Sequence, residues 1–301
     1  MNVDECGCPD YSVSRRSLLK AAGLASMAGV ATSMFGDVLT STVYGATNGN
    51  VLVVLSLRGG ADGLSMVVPH AEAAYAAARP TTRVATASLL HADATFGLHP
   101  AFAPLSPWWK SGQLAALHAV GLPAPNRSHF EAMEAVEDAD PGSSARVGWI
   151  NRMISGLGGT PDVLDQVSLG GSSTPTSMMG PAPSLATRRL NDLSLTFSDD
   201  ARLLAASTAL LRSSYRAAGG QVGAAGLDAL ALGARAQSLS AAVEKQSSTA
   251  TYAPYSDAGD ALQHAAQLIK AGVGVRAVAV DAGGWDHHVG LAGNVKNSIK
   301  E

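Results

Sequence analysis

The segment Val51-Leu52-Val53-Val54-Leu55-Ser56-Leu57 constrains the fold more than any other part of the chain. It is a run of aliphatic and β-branched residues with almost no polar alternation. That pattern predicts a strand buried on both faces of a parallel sheet. Arg58-Gly59-Gly60-Ala61-Asp62-Gly63 breaks the run at its carboxyl end. Residues 273–280 form a second run of this kind, ending at Asp281. An amphipathic helix is predicted just before it, over Asp257–Lys270, with Leu262, Ala265, Ala266 and Ile269 on one face and Gly272 as its stop. Weaker strands are expected at 114–120 and at Gln166–Leu169, and Ala/Leu-rich helices at Ala201–Ala218 and 227–245. Residues 170–184, rich in Gly, Ser, Thr, Pro and Met, read as a long loop. Strands alternating with helices argue for an α/β fold, a mostly parallel sheet with flanking helices.

The N-terminus reads as an address. Ser14-Arg15-Arg16-Ser17 precedes a moderately apolar segment at 21–38, and small residues follow around Val43-Tyr44-Gly45-Ala46. This order is that of an export signal, and the paired arginines fit the twin-arginine class. Residues 1–45 are therefore expected to be a signal segment read by the twin-arginine translocation machinery. Residues 46–301 are expected to be one α/β domain, exported to the periplasm or the cell exterior.

Both cysteines, Cys6 and Cys8, fall in that leader. The rest of the chain has no thiol for disulfides, thiolate metal sites or cysteine nucleophiles. Any metal site must use His and carboxylates. The 301 residues are 47% hydrophobic with a formal net charge of -3, which excludes a disordered protein. With 21 Lys+Arg against 24 Asp+Glu, there is no basic field for nucleic acid.

Ligands in open α/β sheets bind beyond the carboxyl ends of strands. Asp62 lies in the loop after the first strand. Asp281, Asp286, His287 and His288 lie in Asp281-Ala282-Gly283-Gly284-Trp285-Asp286-His287-His288, after the last. If the two strands are neighbours, these side chains converge, and carboxylate with imidazole suits zinc or a similar divalent ion. Taken alone, the first loop reads rather as a tight strand-to-helix turn, with Asp62 as the cap on the following helix. The glycine loop is neither a dinucleotide fingerprint nor a P-loop, because the spacing is wrong and no Gly-Lys-Ser/Thr follows. A third constellation is Asn126-Arg127-Ser128-His129-Phe130-Glu131. Ser128 at a helix start could face an anion held by Arg127, or serve with Glu131 as a capping box; both can be true together. His99, Trp108 and Trp109 read as packing residues.

These pieces together resemble a bacterial exported family, "domain of unknown function 1501". The motifs that carry the resemblance are the twin-arginine leader, Leu57-Arg58-Gly59-Gly60-Ala61-Asp62-Gly63-Leu64, Leu98-His99-Pro100-Ala101-Phe102, Asn126-Arg127-Ser128-His129-Phe130 and Gly283-Gly284-Trp285-Asp286-His287-His288. The family is placed near the alkaline phosphatase and sulfatase superfamily. The resemblance implies an alkaline phosphatase-like core, Asp62 as a metal ligand and Ser128 near the nucleophile position. Asp286 and His288 match the family's Trp-Asp-Thr-His pattern, with His287 in place of the threonine. Relatives continue with a further strand and an Asp-His pair, so the chain is expected to be C-terminally truncated, its core incomplete and its hydrolase activity small or absent.

The implied function is that of a metal-dependent hydrolase acting on a small-molecule phosphate or sulfate ester. Arg127 and Ser128 would be its catalytic residues, and Asp62, Asp281, Asp286 and His288 its metal ligands. The alternatives are a non-catalytic exported binding or assembly protein and an inactive truncated gene product.

Overall fold

The computed structural model describes residues 50–300, except 125, 141–144, 190–191, 193–199, 247–249 and 253–255. The signal segment expected at 1–45 lies outside the described residues. The chain forms strands β1 (Leu52–Leu57), β2 (Val67–Val68), β3 (Gly97–Leu98), β4 (Gln166–Leu169), β5 (Leu185–Thr187) and β6 (Ala277–Ala282). Its helices are α1 (Gly63–Met66), α2 (Ala73–Ala78), α3 (Ser106–Lys110), α4 (His129–Asp138), α5 (Trp149–Gly156), α6 (Ala201–Ala218), α7 (Gly220–Glu244), α8 (Asp257–Lys270) and α9 (Leu291–Lys300). Strands β1, β6, β4 and β5 pair in that order, all parallel, and β2 with β3 makes a small antiparallel ribbon. The fold is α/β, with a parallel sheet flanked by helices.

The two-residue period of β6 builds both halves of the core. Ala277 and Ala279 face α5, where Ile150, Met153 and Ile154 are buried with Met178 and Ala182. Val278 and Val280 face α8, packed with Ala261, Ala265, Leu268, Leu164, Val167, Leu169 and Leu185. Alanines on one face let α5 approach closely, and the larger valines fill the space beneath α8. Asn151, fully buried on α5, donates to the Met178 and Ala182 carbonyls and accepts from the Ala182 N–H, so it ties α5 to the segment after β4.

β1 and β6, the two strong apolar runs, are neighbours in register, Ser56 opposite Asp281 and Leu57 opposite Ala282. Three expectations need correction. Pairing in β6 starts at Ala277 rather than at 273. Gly272 and Gly274 carry positive φ (63° and 92°), which turns the chain before the ladder begins. The Arg276 and Ala277 N–H groups both donate to the Asp165 carbonyl, just ahead of β4. Secondly, β1 is not buried on both faces. It lies at the end of the strand order, and Val53 and Leu55, on the same face as Val278 and Val280, remain exposed outside the cluster that α8 covers.

Thirdly, residues 114–120 form no strand. Local ties win over sheet pairing: the Gln113 and Leu114 N–H groups both donate to the Trp108 carbonyl, His118 stacks on Phe96 with centroids 3.8 Å apart, and Ala119 takes φ 55°. A strand cannot pass through such a residue. Leu117 and Val120 are left exposed.

Candidate metal centre at the strand carboxyl ends

The loops after β1 and β6 leave the same edge of the sheet and are laced together. The Arg58 N–H donates to the Ala282 carbonyl at 2.8 Å, and the Trp285 N–H donates to the Arg58 carbonyl at 3.0 Å. Trp285 is buried and anchors the second loop, while Gly283 and Gly284 give it room to turn. Helix α4 starts at the same edge. A Cβ placed on Gly60 would lie 3.1 Å from Cε1 of the His129 ring, so α4 presents its first residue to the β1 loop.

His129, Asp286 and His288 converge there. One donor atom from each lies within 4.8 Å of the others. His288 Nε2 is 2.8 Å and His129 Nε2 3.5 Å from the Asp286 carboxylate, and the two imidazoles meet edge-on with centroids 5.8 Å apart. Tetrahedral zinc with bonds of about 2.0–2.1 Å separates its donors by roughly 3.3 Å. The two spacings to Asp286 bracket that value, and the third pair of donors lies within 4.8 Å. The donor set, two imidazoles and a carboxylate, suits zinc or a similar borderline ion, and three protein ligands leave a position open for a substrate or water. All three groups are partly solvent-accessible. Their ion pairing alone therefore stabilises little.

The other site residues expected from sequence fall elsewhere. Asp62 is held by Arg79, which reaches its two oxygens at 2.6 and 2.7 Å, and it accepts from Ser65 Oγ at 2.5 Å. It makes no side-chain cap on α1. Burial pushes the Asp62 carboxyl up, but the hydrogen bonds from Arg79 and Ser65 and the Arg79 charge outweigh it, leaving the group below its ordinary 3.8. Asp281 lies 3.0 Å from Arg58 Nε. Neither belongs to the three-donor cluster. His287 turns away from its neighbour, with Nε2 3.3 Å from Ser298 Oγ on α9.

Ser128 caps α4, its Oγ accepting from the Glu131 N–H at 3.4 Å. The return half of the capping box comes from Asn126, whose Oδ1 accepts from the Ser128 N–H at 2.8 Å, while Asn126 Nδ2 donates to Glu131. Arg127 is exposed beside it. Among the expected packing residues, His99 is buried and its Nδ1 accepts from the Ala101 N–H. Burial, with Lys296 nearby, pushes its pKa down. Trp109 stacks with His91, whereas Trp108 is half exposed.

Sequence reasoning places His129 inside a motif but gives it no role. The available signal is its position one residue after a helix cap, at the edge where both loops end. No curated protein and no solved structure matches the chain. Residues 91–301, a span that holds His129, Asp286 and His288, match the family described as "Protein of unknown function (DUF1501)", and the chain belongs to that family.

Proposed function

We propose that this protein is an exported metal-dependent hydrolase of phosphate or sulfate esters, its ion held by His129, Asp286 and His288. The observation that carries the proposal is the meeting of three donors, from a helix start and a strand-end loop, at the carboxyl edge of a parallel sheet. When bound, a divalent ion supplies Lewis acidity to an ester oxygen. The chain supplies the rest. Arg127 steadies the anionic group, and the Ser128 hydroxyl, one residue before His129 at the start of α4, serves as the nucleophile. Asp62 and Asp281 lie outside this donor set: Arg79 holds both oxygens of Asp62, and Asp281 faces Arg58 through one oxygen.

The test is zinc content and affinity, followed by hydrolysis of aryl phosphate and aryl sulfate esters with and without chelator. One equivalent of zinc is expected, with weak chelator-sensitive turnover, in keeping with the small activity anticipated from the sequence. His129→Ala should weaken zinc binding at least 100-fold, since two protein ligands rarely retain the ion. Zinc without turnover would favour the non-catalytic binding protein. Absence of zinc binding overturns the site.

Export through the twin-arginine route rests on Arg15 and Arg16. Changing both to Lys should retain the protein in the cytoplasm, as followed by cell fractionation. Undiminished export of that variant would remove the assignment.

A further inference from the structure

We propose that Arg58 is the positioning residue of the metal centre: it clamps the His129-bearing face of α4 to the strand ends and so sets the distance between His129 and Asp286. The inference rests on the three-donor site above.

Arg58 is the first residue after β1, and its side chain contacts two other elements. Its guanidinium pairs with Glu137 on α4, Nε lies 3.0 Å from Asp281 on β6, and NH1 points at the Met133 sulfur at 3.7 Å. Only 22% of the Arg58 side chain and 10% of that of Glu137 are exposed, so this is not a solvated surface pair. His129, Met133 and Glu137 are spaced i, i+4, i+8. Four-residue steps stack side chains along one helical face. The face that Arg58 grips at Met133 and Glu137 is therefore the face that presents His129 to Asp286 one or two turns earlier.

Electrostatics points the same way. Glu137 and Asp138 stand in the last turn of α4, where the helix macrodipole is already negative. Two cations meet it: Arg152 on α5, whose Nη2 donates to the Asp138 carbonyl at 2.6 Å, and Arg58 from the sheet, which pairs with the Glu137 carboxylate. The Arg58 backbone also holds the second loop through the Trp285 N–H. One residue thus fixes α4 by its side chain and the Asp286 loop by its main chain. The backbone bonds survive substitution of the side chain, so a side-chain variant isolates the α4 half of the clamp.

The test separates positioning from bulk stability. Zinc affinity and melting temperature are measured for the wild type, Arg58→Lys, Arg58→Met and the double variant Arg58→Met/Glu137→Met. Arg58→Met should weaken zinc binding 10- to 100-fold, the usual range when an outer partner of a metal site is lost, and should lower the melting temperature because it orphans a buried carboxylate. The double variant removes that orphan. Its melting temperature should recover while its zinc affinity stays weak. Arg58→Lys keeps the charge without the fork that spans two carboxylates, and should fall between the wild type and Arg58→Met. If the double variant regains wild-type affinity, Arg58 acts through stability alone and the proposal is overturned. Unchanged affinity in Arg58→Met overturns it as well. A wild type that binds no zinc removes the site and the clamp together, a result distinct from either of these.

Discussion

Gly59→Ala is expected to weaken zinc binding about tenfold or more and to destabilise the fold by about 2–4 kcal/mol, because Gly59, not itself a ligand, abuts the backbone of the ligand Asp286. Gly59 has φ 117°, a conformation that side chains with a Cβ rarely adopt. A Cβ there would lie 2.8 Å from the Asp286 N, 3.0 Å from its Cβ and 3.3 Å from its Cα. The obstacle is mostly backbone, so no side-chain rotation relieves it. Either Gly59 flips, breaking the bond between the Arg58 carbonyl and the Trp285 N–H, or the Asp286 loop moves away from His129. Both widen the donor cluster. Gly63→Ala is the control from the same loop: a Cβ there meets nothing within 4 Å, and its φ is not positive. Its zinc affinity should stay within about threefold of wild type, because no second-layer contact is lost. Competition titration with a zinc chelator and thermal melts read both effects. Wild-type affinity in Gly59→Ala would mean that the abutment of the two loops does not define the site.

What sequence reveals of this fold follows the range of the forces involved. The parallel pairing of β1 and β6 is legible because each strand carries its own apolar pattern, and the loops that follow share an edge once the strands are adjacent. Helix α8 is legible at its exact bounds because Ser256 caps it by accepting from the Gly259 N–H, and Gly272 stops it. Both signals are local. Residues 114–120 mislead for the same reason in reverse. Their apolar pattern is that of a strand, but the backbone bonds to Trp108 and the ring of Phe96 hold them elsewhere.

The site divides in the same way. Asp286 and His288 are visible because two donors stand together at a strand end. His129 is hidden because it is brought in by the docking of α4, which depends on Arg58 and Glu137 at a sequence distance no periodicity spans. Asp62 looks like a ligand from its loop, and the residue that engages it, Arg79, lies 17 positions away beyond a second short helix. A carboxylate's role is decided by which cation reaches it first. That is a tertiary fact, and composition of the loop does not encode it.

Asp62 accordingly gives a prediction that tells a fold-holding ion pair from a metal ligand. Asp62→Asn should cost about 2–3 kcal/mol of stability, within the range for breaking a largely buried charge pair while one partner stays behind. Zinc affinity should stay within about threefold of wild type, as for a residue outside the donor set. The carboxylate and guanidinium side chains are 16% and 19% exposed, so neither is well solvated once its partner is gone. The pH dependence follows from the depressed value of Asp62 in the folded chain. A carboxyl bound less tightly to its proton when folded than when unfolded stabilises the fold fully above its ordinary 3.8, and that contribution fades as pH falls through the lower, folded value. The stability gap between wild type and Asp62→Asn should therefore be constant from about pH 5 to 8 and shrink below pH 4. Urea unfolding at pH 7 and pH 3, with zinc titration at pH 7, measures both quantities. A loss of zinc affinity of 100-fold with little change in stability would reverse the assignment, placing Asp62 on the ion and leaving Arg79 as a bystander.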